Sequence, residues 1–180
     1  MEDKQILEQF RIAETRTAAF NALVKKYQQK IYWHIRKMVI DHDDADDLTQ
    51  EVFIKVWHNL GEFRAEAQLY TWLYRIASNE CLNFLSKKKR ASLTSIDDVV
   101  ANELSQKLDE GVLISGDEIQ IKLQKALLRL PDKQRLVFNM KYYDELTYQE
   151  ISEITGTSEG ALKASYHLAV KKIEEYLISN

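Results

Sequence analysis

Five aspartates fall within the stretch DHDDADD, positions 41–47, directly ahead of an apolar run. Carboxylates at this density are the ligand type that calcium prefers. A calcium loop that begins at Asp41 requires an acidic residue at position 45, glycine at 46 and glutamate at 52. The sequence has Ala45, Asp46 and Val52 at those places. The spacing therefore argues against a calcium site, and no metal or other cofactor is predicted.

The same aspartates could instead carry acid/base chemistry, cap a helix or face a protein partner. A catalytic pair of carboxylates needs one member with a raised pKa in a cleft. Adjacent aspartates at a helix start are solvated and favoured by the helix dipole, so they suit that role poorly. Asp43 or Asp44 is predicted to be the N-cap of the following helix. Capping uses only one or two acids, so the other aspartates remain to be explained.

The composition is typical of a helical, core-forming protein. Of 180 residues, 45% are hydrophobic and 29% are charged, and one proline with five glycines leaves little turn material. Cys81 is the single cysteine, which suits a reducing compartment. No uncharged apolar run approaches the roughly 18 residues of a membrane span, and the N-terminus lacks a signal-peptide core. We expect an all-α protein of the cytoplasm, without membrane insertion.

Charge is distributed unevenly along the chain. The net charge is −3, yet residues 91–119 contain seven acidic residues and one lysine. This stretch also contains serines and glycines and has no clear apolar period, as expected of a linker. We predict two small helical domains, residues 1–90 and 118–180, joined by an acidic linker over 91–117.

Helical periodicity is strong in the first predicted domain. Apolar residues at helical spacing predict helices over about 17–40 and 44–60, and Gly61 is a natural stop for the second. A third helix begins near Leu69 and ends in the basic run KKKR at 87–90, as the helix dipole favours.

The second predicted domain contains a helix-turn-helix pattern. Thr147 and Glu150 form a capping box, and Gly156 falls where a turn between crossing helices needs positive φ. The recognition helix would span about 159–172, with its outward side chains in a major groove. A pair of core helices without any DNA role would show the same spacing.

Four stretches in fixed order resemble one protein family. They are DADDLTQEVFIKVW, FRAEAQLYTWLYRIASNECLNFL, LRLPDKQRLVF and LTYQEISEITGTSEGALK. Together they resemble the extracytoplasmic-function group of bacterial RNA polymerase sigma factors, which keep sigma region 2 and sigma region 4. The resemblance implies that the protein directs core polymerase to promoters, recognises them and opens the strands, without catalysing a reaction itself.

The resemblance also implies where the polymerase binds. In the family, the helix after the aspartates docks on the basic clamp helices of the largest polymerase subunit, and the polymerase flap is a further partner. The residues that match the clamp contact are Asp44, Asp47, Leu48, Gln50, Glu51, Phe53 and Trp57.

Promoter opening needs aromatic surfaces that receive unstacked bases and cations that follow the backbone. The loop after Gly61 and the helix after it offer both, and in the family this region binds the minus-10 element. Burial of Trp72 and solvation of the basic run remain the alternatives. The predicted minus-10 residues are Phe63, Arg64, Tyr70, Trp72, Arg75, Asn79, Lys87, Lys88, Lys89 and Arg90.

The helix-turn-helix matches the motif with which the family recognises the minus-35 element of promoters. Family members usually carry arginines along the recognition helix, whereas this chain has Ser165, Leu168 and Val170 there. Fewer cations on this helix predict weaker binding to the DNA phosphates. The predicted minus-35 residues are Ser158, Glu159, Gly160, Lys163, Ala164, His167 and Lys171.

Three further hypotheses concern partners and competing functions. The family is commonly held inactive by an anti-sigma factor, which is therefore an expected partner. The acidic linker is expected to occupy a basic path through the polymerase cleft, with a plain spacer as the alternative. A stand-alone helix-turn-helix regulator, or a nuclease that uses the aspartate cluster, would be the alternative function.

Overall fold

The structure is a computed structural model that describes residues 1–91, 106 and 118–180. Within these residues every regular element is helical, which confirms the all-α prediction. None of these helices is both long enough and apolar enough to cross a membrane. The predicted linker lies outside the described residues, apart from Ala91 and Gln106. The first domain consists of α1 (Asp3–Phe10), α2 (Arg16–Val39), α3 (His42–Asn59), a 3-10 turn (Leu60–Glu62) and α4 (Leu69–Ala91); the second consists of α5 (Glu118–Leu127), α6 (Asp132–Tyr142), α7 (Tyr148–Thr155) and α8 (Glu159–Ser179).

Helix α2 is the centre of the first domain. It contacts α1, α3 and α4, because one side of it is apolar at every turn. Helix α1 closes one end of this core with Ile6 and Phe10, both buried. The buried residues of α2 are Ala19, Leu23, Tyr27, Ile31, His34, Ile35, Met38 and Val39.

The junction between α2 and α3 differs from the prediction. Ile40 has φ 68°, which ends α2, and its carbonyl accepts a hydrogen bond from Nε of Arg36 at 2.8 Å. Because the chain turns at this residue, Asp41 becomes the N-cap of α3 and accepts from the Asp44 amide at 3.0 Å. Asp43 and Asp44 lie in the first turn, so the prediction that one of them is the cap is wrong.

The helix-turn-helix has the predicted local structure. Thr147 Oγ1 accepts from the Glu150 amide, and a Glu150 carboxylate oxygen accepts from the Thr147 amide, each at 3.1 Å. Gly156 has φ 73°, in the left-handed region, and ends α7. The second helix, α8, extends seven residues beyond the predicted end at 172, since Ile173 is buried against the second domain's core.

The two domains pack against each other, which the sequence did not predict. Helix α6 contacts α2 and α4, and α7 contacts α4. A single hydrophobic cluster contains buried side chains of both domains. The members from the second domain are Leu128, Leu136, Val137, Met140, Leu146, Ile151, Ile154 and Leu162.

The capping box of α7 gives a stability prediction. Substitution Thr147→Ala removes the acceptor for the Glu150 amide and should lower the free energy of unfolding by about 1 kcal/mol. Urea denaturation followed by circular dichroism measures the change. The exposed Thr157→Ala is the matched control, and equal losses in the two variants would contradict the capping role.

Candidate functional site

The exposed side of α3 carries an acidic strip, which we define as Asp44, Asp47, Gln50 and Glu51. Asp47, Gln50 and Glu51 are exposed, and Asp44 is half-buried. The apolar residues predicted for this surface lie deeper, because they recur on the side of α3 that faces the core. Leu48 is only 5% exposed and Phe53 only 7%. The structure thus places Leu48 in the core of the domain and not on its surface.

An apolar groove lies beside the strip, between α2 and α3. This α2–α3 groove has a volume of about 700 Å³, and its rim includes Asp46 and Gln50. Ile54 lines it and is 58% exposed. Ile54 was not predicted as a site residue, although an apolar residue that interrupts the four-residue spacing of the buried positions of α3 is a signal for an exposed apolar contact. The groove is lined by Phe20, Asn21, Val24, Gln28, Asp46, Thr49, Gln50, Phe53, Ile54 and Trp57.

Trp57 joins this groove to α1. Its ring centroid lies 5.4 Å from that of Phe10 and 5.0 Å from that of Phe20, both in edge-to-face geometry. Such pairs are favoured by the quadrupoles of the rings. Helix α1, for which the sequence indicated no role, therefore holds the Trp57 ring that lines the groove.

The loop after the 3-10 turn brings two predicted residues together. The rings of Phe63 and Trp72 are 5.1 Å apart, and Phe63 is 8% exposed because it packs under the tryptophan. They line a Phe63–Trp72 groove of about 330 Å³. The contribution of α3 to this groove was not predicted, because α3 and the loop come together only in the folded chain. The lining residues are Lys55, Asn59, Glu62, Phe63, Trp72 and Ile76.

Helix α4 presents one continuous polar face. Arg75, Asn79, Asn83 and Lys87 follow one another at four-residue intervals and are all exposed. Arg64 in the loop and Arg90 at the helix end are also exposed, whereas Tyr70 is half-buried.

The basic run at the end of α4 is divided between two environments. Lys87 and Arg90 are exposed, whereas Lys88 and Lys89 are half-buried. Nζ of Lys89 forms an ion pair with Asp132 of α6 at 2.8 Å. In this conformation, the phosphate contact predicted for Lys89 is therefore occupied by the second domain.

All seven predicted minus-35 residues are exposed, on the first four turns of α8 or at its N-cap. The opposite side of α8 holds Leu162, Ala169 and Ile173 in the core. Ser158 is the N-cap, and its Oγ accepts from the Ala161 amide at 3.3 Å. Lys163 Nζ lies 5.7 Å from the ring centroid of Tyr148, a residue that the sequence analysis did not single out.

No three histidine, cysteine, aspartate or glutamate side chains in the described ranges are grouped closely enough to hold a metal ion. The aspartates of α3 are spread along more than one turn and face solvent at positions 43, 46 and 47. Their geometry is that of a charged helix surface.

Comparisons with known sequences match both domains. Residues 23–91 match the family model for Sigma-70 region 2, and residues 120–173 match that for Sigma-70, region 4. The chain is 31% identical to RNA polymerase sigma-H factor of Pseudomonas aeruginosa, over 98% of this chain and 94% of that protein. It is 33% identical to ECF RNA polymerase sigma factor SigW of Bacillus subtilis, over 88% and 89%. It is 30% identical to ECF RNA polymerase sigma-E factor of Escherichia coli, over 87% and 85%.

Solved structures share the fold. CnrH, in complex with the cytosolic domain of CnrY, has a TM-score of 0.72 at 20% identity, with 99% of this chain and 98% of that chain covered. The sigma factor RpoE of Bartonella quintana, in complex with the anti-sigma factor NepR, has a TM-score of 0.66 at 22% identity, with 88% and 96% covered. At these identities the likeness extends to the fold alone.

Proposed function

The chain belongs to the extracytoplasmic-function group of sigma-70 family RNA polymerase sigma factors, and we propose that its separate surfaces divide the work of initiation. Members of this family direct transcription initiation from promoters. The observation that supports the division of labour is the exposure of four surfaces: the acidic strip with the α2–α3 groove, the Phe63–Trp72 groove, the polar face of α4, and the outer side of α8. The acidic strip and the C-terminal part of the α4 face adjoin in one pocket. The protein acts through binding, and we infer no bond chemistry of its own.

The acidic strip and the α2–α3 groove form the proposed polymerase contact. Carboxylates of the strip steer and orient the approach to the basic clamp helices of the largest subunit. Apolar side chains in a desolvated groove supply most of the affinity of an interface. Ile54 is the most exposed apolar side chain there, and Trp57 lines the groove with its large ring, so these two are the proposed anchors. Leu48 contributes by holding α3 in place.

Truncation of the proposed anchor tests this contact. Ile54→Ala should weaken binding to core RNA polymerase by about 2 kcal/mol, roughly thirtyfold, because the groove loses its protruding side chain. Fluorescence anisotropy of labelled protein titrated with purified core enzyme measures the affinity.

Ile12→Ala is the control for this titration, since Ile12 is an isoleucine of the same domain that is 52% exposed. The control should bind as the unaltered protein does. Equal affinities for Ile54→Ala and Ile12→Ala would remove the groove from the interface.

The Phe63–Trp72 groove is the proposed binding site for an unstacked base of the minus-10 element. Every base has a π-face, and an aromatic surface holds it after it leaves the duplex stack. Trp72 is half-exposed and backed by Phe63, so its ring is held in one orientation. Lys55 and Asn59 also line this groove, where Lys55 is paired with Glu80 of α4 and the Asn59 amide donates to the Lys55 carbonyl. The polar face of α4 is proposed to follow the backbone from there.

Removal of the Trp72 ring should impair strand opening. Stacking of one base on an aromatic ring contributes about 1–3 kcal/mol, so Trp72→Ala in holoenzyme should weaken binding to single-stranded minus-10 DNA about five- to 150-fold. Permanganate footprinting on a promoter identified from transcript starts should show fewer unpaired thymines.

Two variants make this test specific. Trp72→Phe keeps a ring and should retain most of the opening. Trp33→Ala removes a tryptophan of α2 that is 41% exposed and outside the groove, and it should have no effect. An equal defect in Trp33→Ala would indicate that loss of stability, and not loss of stacking, explains the result.

The exposed side of α8, opposite its buried residues, is the proposed binding surface for the minus-35 element. Its N-terminal turns carry the exposed residues that a recognition helix places in the major groove. Lys163 lies one turn into the helix, and its ammonium group lies beside the ring of Tyr148. The ring attracts this cation and limits its movement. His167 and Lys171 continue the same exposed side. With few cations on α8, each one should account for a large share of the duplex affinity.

Loss of the Lys163 charge should lower both the affinity and its salt dependence. Lys163→Ala should weaken binding to minus-35 duplex several-fold and reduce the slope of log K against log salt by about 1, as for one phosphate contact. Lys30→Ala, an exposed lysine of α2, changes net charge equally and is the control. An unchanged slope for Lys163→Ala would mean that this lysine makes no phosphate contact.

We further propose an anti-sigma factor as a partner and the cytoplasm, where RNA polymerase works, as the location. Two solved relatives of this fold were determined with CnrY and with the anti-sigma factor NepR. The exposed apolar surface of the α2–α3 groove offers such a protein a way to block the polymerase contact.

A further inference from the structure

An ion pair joins α3 to α4 within the first domain. Nζ of Lys55 of α3 donates a hydrogen bond to the Glu80 carboxylate of α4, and Lys55 lines the Phe63–Trp72 groove. Glu80 lines a pocket of about 230 Å³, which we call the acidic pocket. The acidic strip contributes three carboxylates to the same pocket, those of Asp44, Asp47 and Glu51. The pair therefore connects the proposed polymerase contact with the proposed site for the unstacked base.

The two sites differ in charge. Four carboxylates line the acidic pocket, and Lys87 is the only cation among the described residues around it. Of the described residues that line the Phe63–Trp72 groove, Lys55 carries the one positive charge and Glu62 the one negative charge. The acidic pocket thus attracts a basic side chain, whereas the groove has one lysine with which to bind a DNA phosphate. In the free chain that lysine is paired with Glu80.

The two partners of the pair are exposed to different extents. The side chain of Lys55 is 53% exposed, and that of Glu80 is only 13% exposed. Lys55 can therefore turn outward and keep its ammonium group hydrated. A mostly buried carboxylate that loses its cation regains little hydration and is destabilised. A phosphate that binds Lys55 consequently leaves Glu80 without charge compensation, unless a second cation reaches the acidic pocket.

A binding partner is the natural source of this second cation. Lys87 is exposed and lies two turns after Glu80 on α4, about 10 Å along the helix axis. The basic clamp helices of the polymerase are the surface that the proposed function brings to the acidic strip. Their side chains would enter the acidic pocket directly beside Glu80.

We propose that the Lys55–Glu80 pair makes polymerase binding and base capture cooperative. A basic polymerase side chain in the acidic pocket pairs with Glu80, and Lys55 then turns to a phosphate of the minus-10 strand. Polymerase alone or DNA alone must separate the pair, whereas both together separate it once. The coupling therefore equals the free energy of separating the pair, and it acts equally in both directions. The inference rests on the proposed function, because it uses both of the sites assigned there.

The test measures how strongly core RNA polymerase enhances binding of single-stranded minus-10 DNA to the full chain. The probe is a labelled oligonucleotide from a promoter identified by its transcript starts. It is titrated at low salt with the free chain and with the chain in saturating core enzyme, and fluorescence anisotropy gives the two affinities. Couplings between sites are typically about five- to 150-fold, and an ion pair with a half-exposed member falls at the low end, so this pair should contribute about fivefold.

Each member of the pair should have its own effect. Glu80→Gln frees Lys55, so it should raise the affinity of the free chain for the oligonucleotide about fivefold and leave that of holoenzyme unchanged. Lys55→Met should lower the affinity of holoenzyme about fivefold and reduce the slope of log K against log salt by about 0.7, as for one phosphate of a single strand. Lys55→Met should also bind core enzyme about fivefold more tightly without DNA, because Glu80 no longer has to leave Lys55. A variant that is merely less stable would not bind more tightly.

Matched variants separate this coupling from a general effect of charge. Glu8→Gln in α1 and Lys30→Met in α2 make the same charge changes at exposed positions and should leave the enhancement as it is in the unaltered chain. Lys55→Arg keeps the cation and should retain the enhancement. The double variant with Glu80→Gln and Lys55→Met should bind the oligonucleotide as Lys55→Met alone does.

Three results would overturn the proposal. One is an unchanged enhancement in Glu80→Gln, which includes a free variant that does not bind the oligonucleotide measurably. Another is a gain from Glu80→Gln that persists in the Lys55→Met background. The third is an equal loss of affinity in both single variants with and without core enzyme, because the pair would then only hold α3 on α4.

Trp72→Ala in the same titration separates this proposal from the proposed function. If Trp72→Ala weakens oligonucleotide binding by holoenzyme, but Glu80→Gln and Lys55→Met leave the enhancement unchanged, the cooperativity is wrong and the proposed function stands. If Trp72→Ala binds as the unaltered holoenzyme does, the proposed base site is wrong, and the coupling that rests on it is wrong as well.

Discussion

The buried side of α2 is the constraint on which the rest of this structure depends. One helix of 24 residues provides the packing surface for α1, α3 and α4, and its C-terminus receives α6 of the second domain. Because apolar residues recur at every turn, each neighbour is fixed in rotation as well as in position. The acidic strip, both grooves and the polar face of α4 are exposed only because the opposite sides of these helices are held on α2. The docking of the second domain continues the same core.

Packing and partner binding compete for the same residues along α3 and α4. Leu48 and Phe53 lie on the side of α3 that faces the core, and Phe63 packs into the core from the loop before α4, so all three are mostly buried. The neighbouring positions then carry the exposed apolar surface, as Ile54 does in the α2–α3 groove and Trp72 does above Phe63. The buried residues set where the exposed ones project. A substitution at Leu48 should therefore act on stability first, and the exposed neighbours are the informative places to probe binding.

The sequence predicts well what local interactions determine. The capping box at Thr147 and the glycine at 156 operate within one turn of the chain, and the structure has both. The cap of α3 was misplaced because the turn at Ile40 adopts positive φ without glycine, which no local pattern indicates. Three features were not predicted: the docking of the domains, the hydrogen bond from Arg135 of α6 to the Met38 carbonyl at the end of α2, and the α3 wall of the Phe63–Trp72 groove. These contacts join residues far apart in sequence, and they depend on how whole helices pack.

The most direct test of the central claim is transcription from genomic DNA by core RNA polymerase with and without the purified chain, with the start sites mapped. A sigma factor with the proposed division of labour should co-elute with core enzyme and create new, discrete starts, each with unpaired thymines in the minus-10 region. A chain that binds duplex DNA alone, fails to co-elute with core enzyme and leaves the set of starts unchanged would contradict the account.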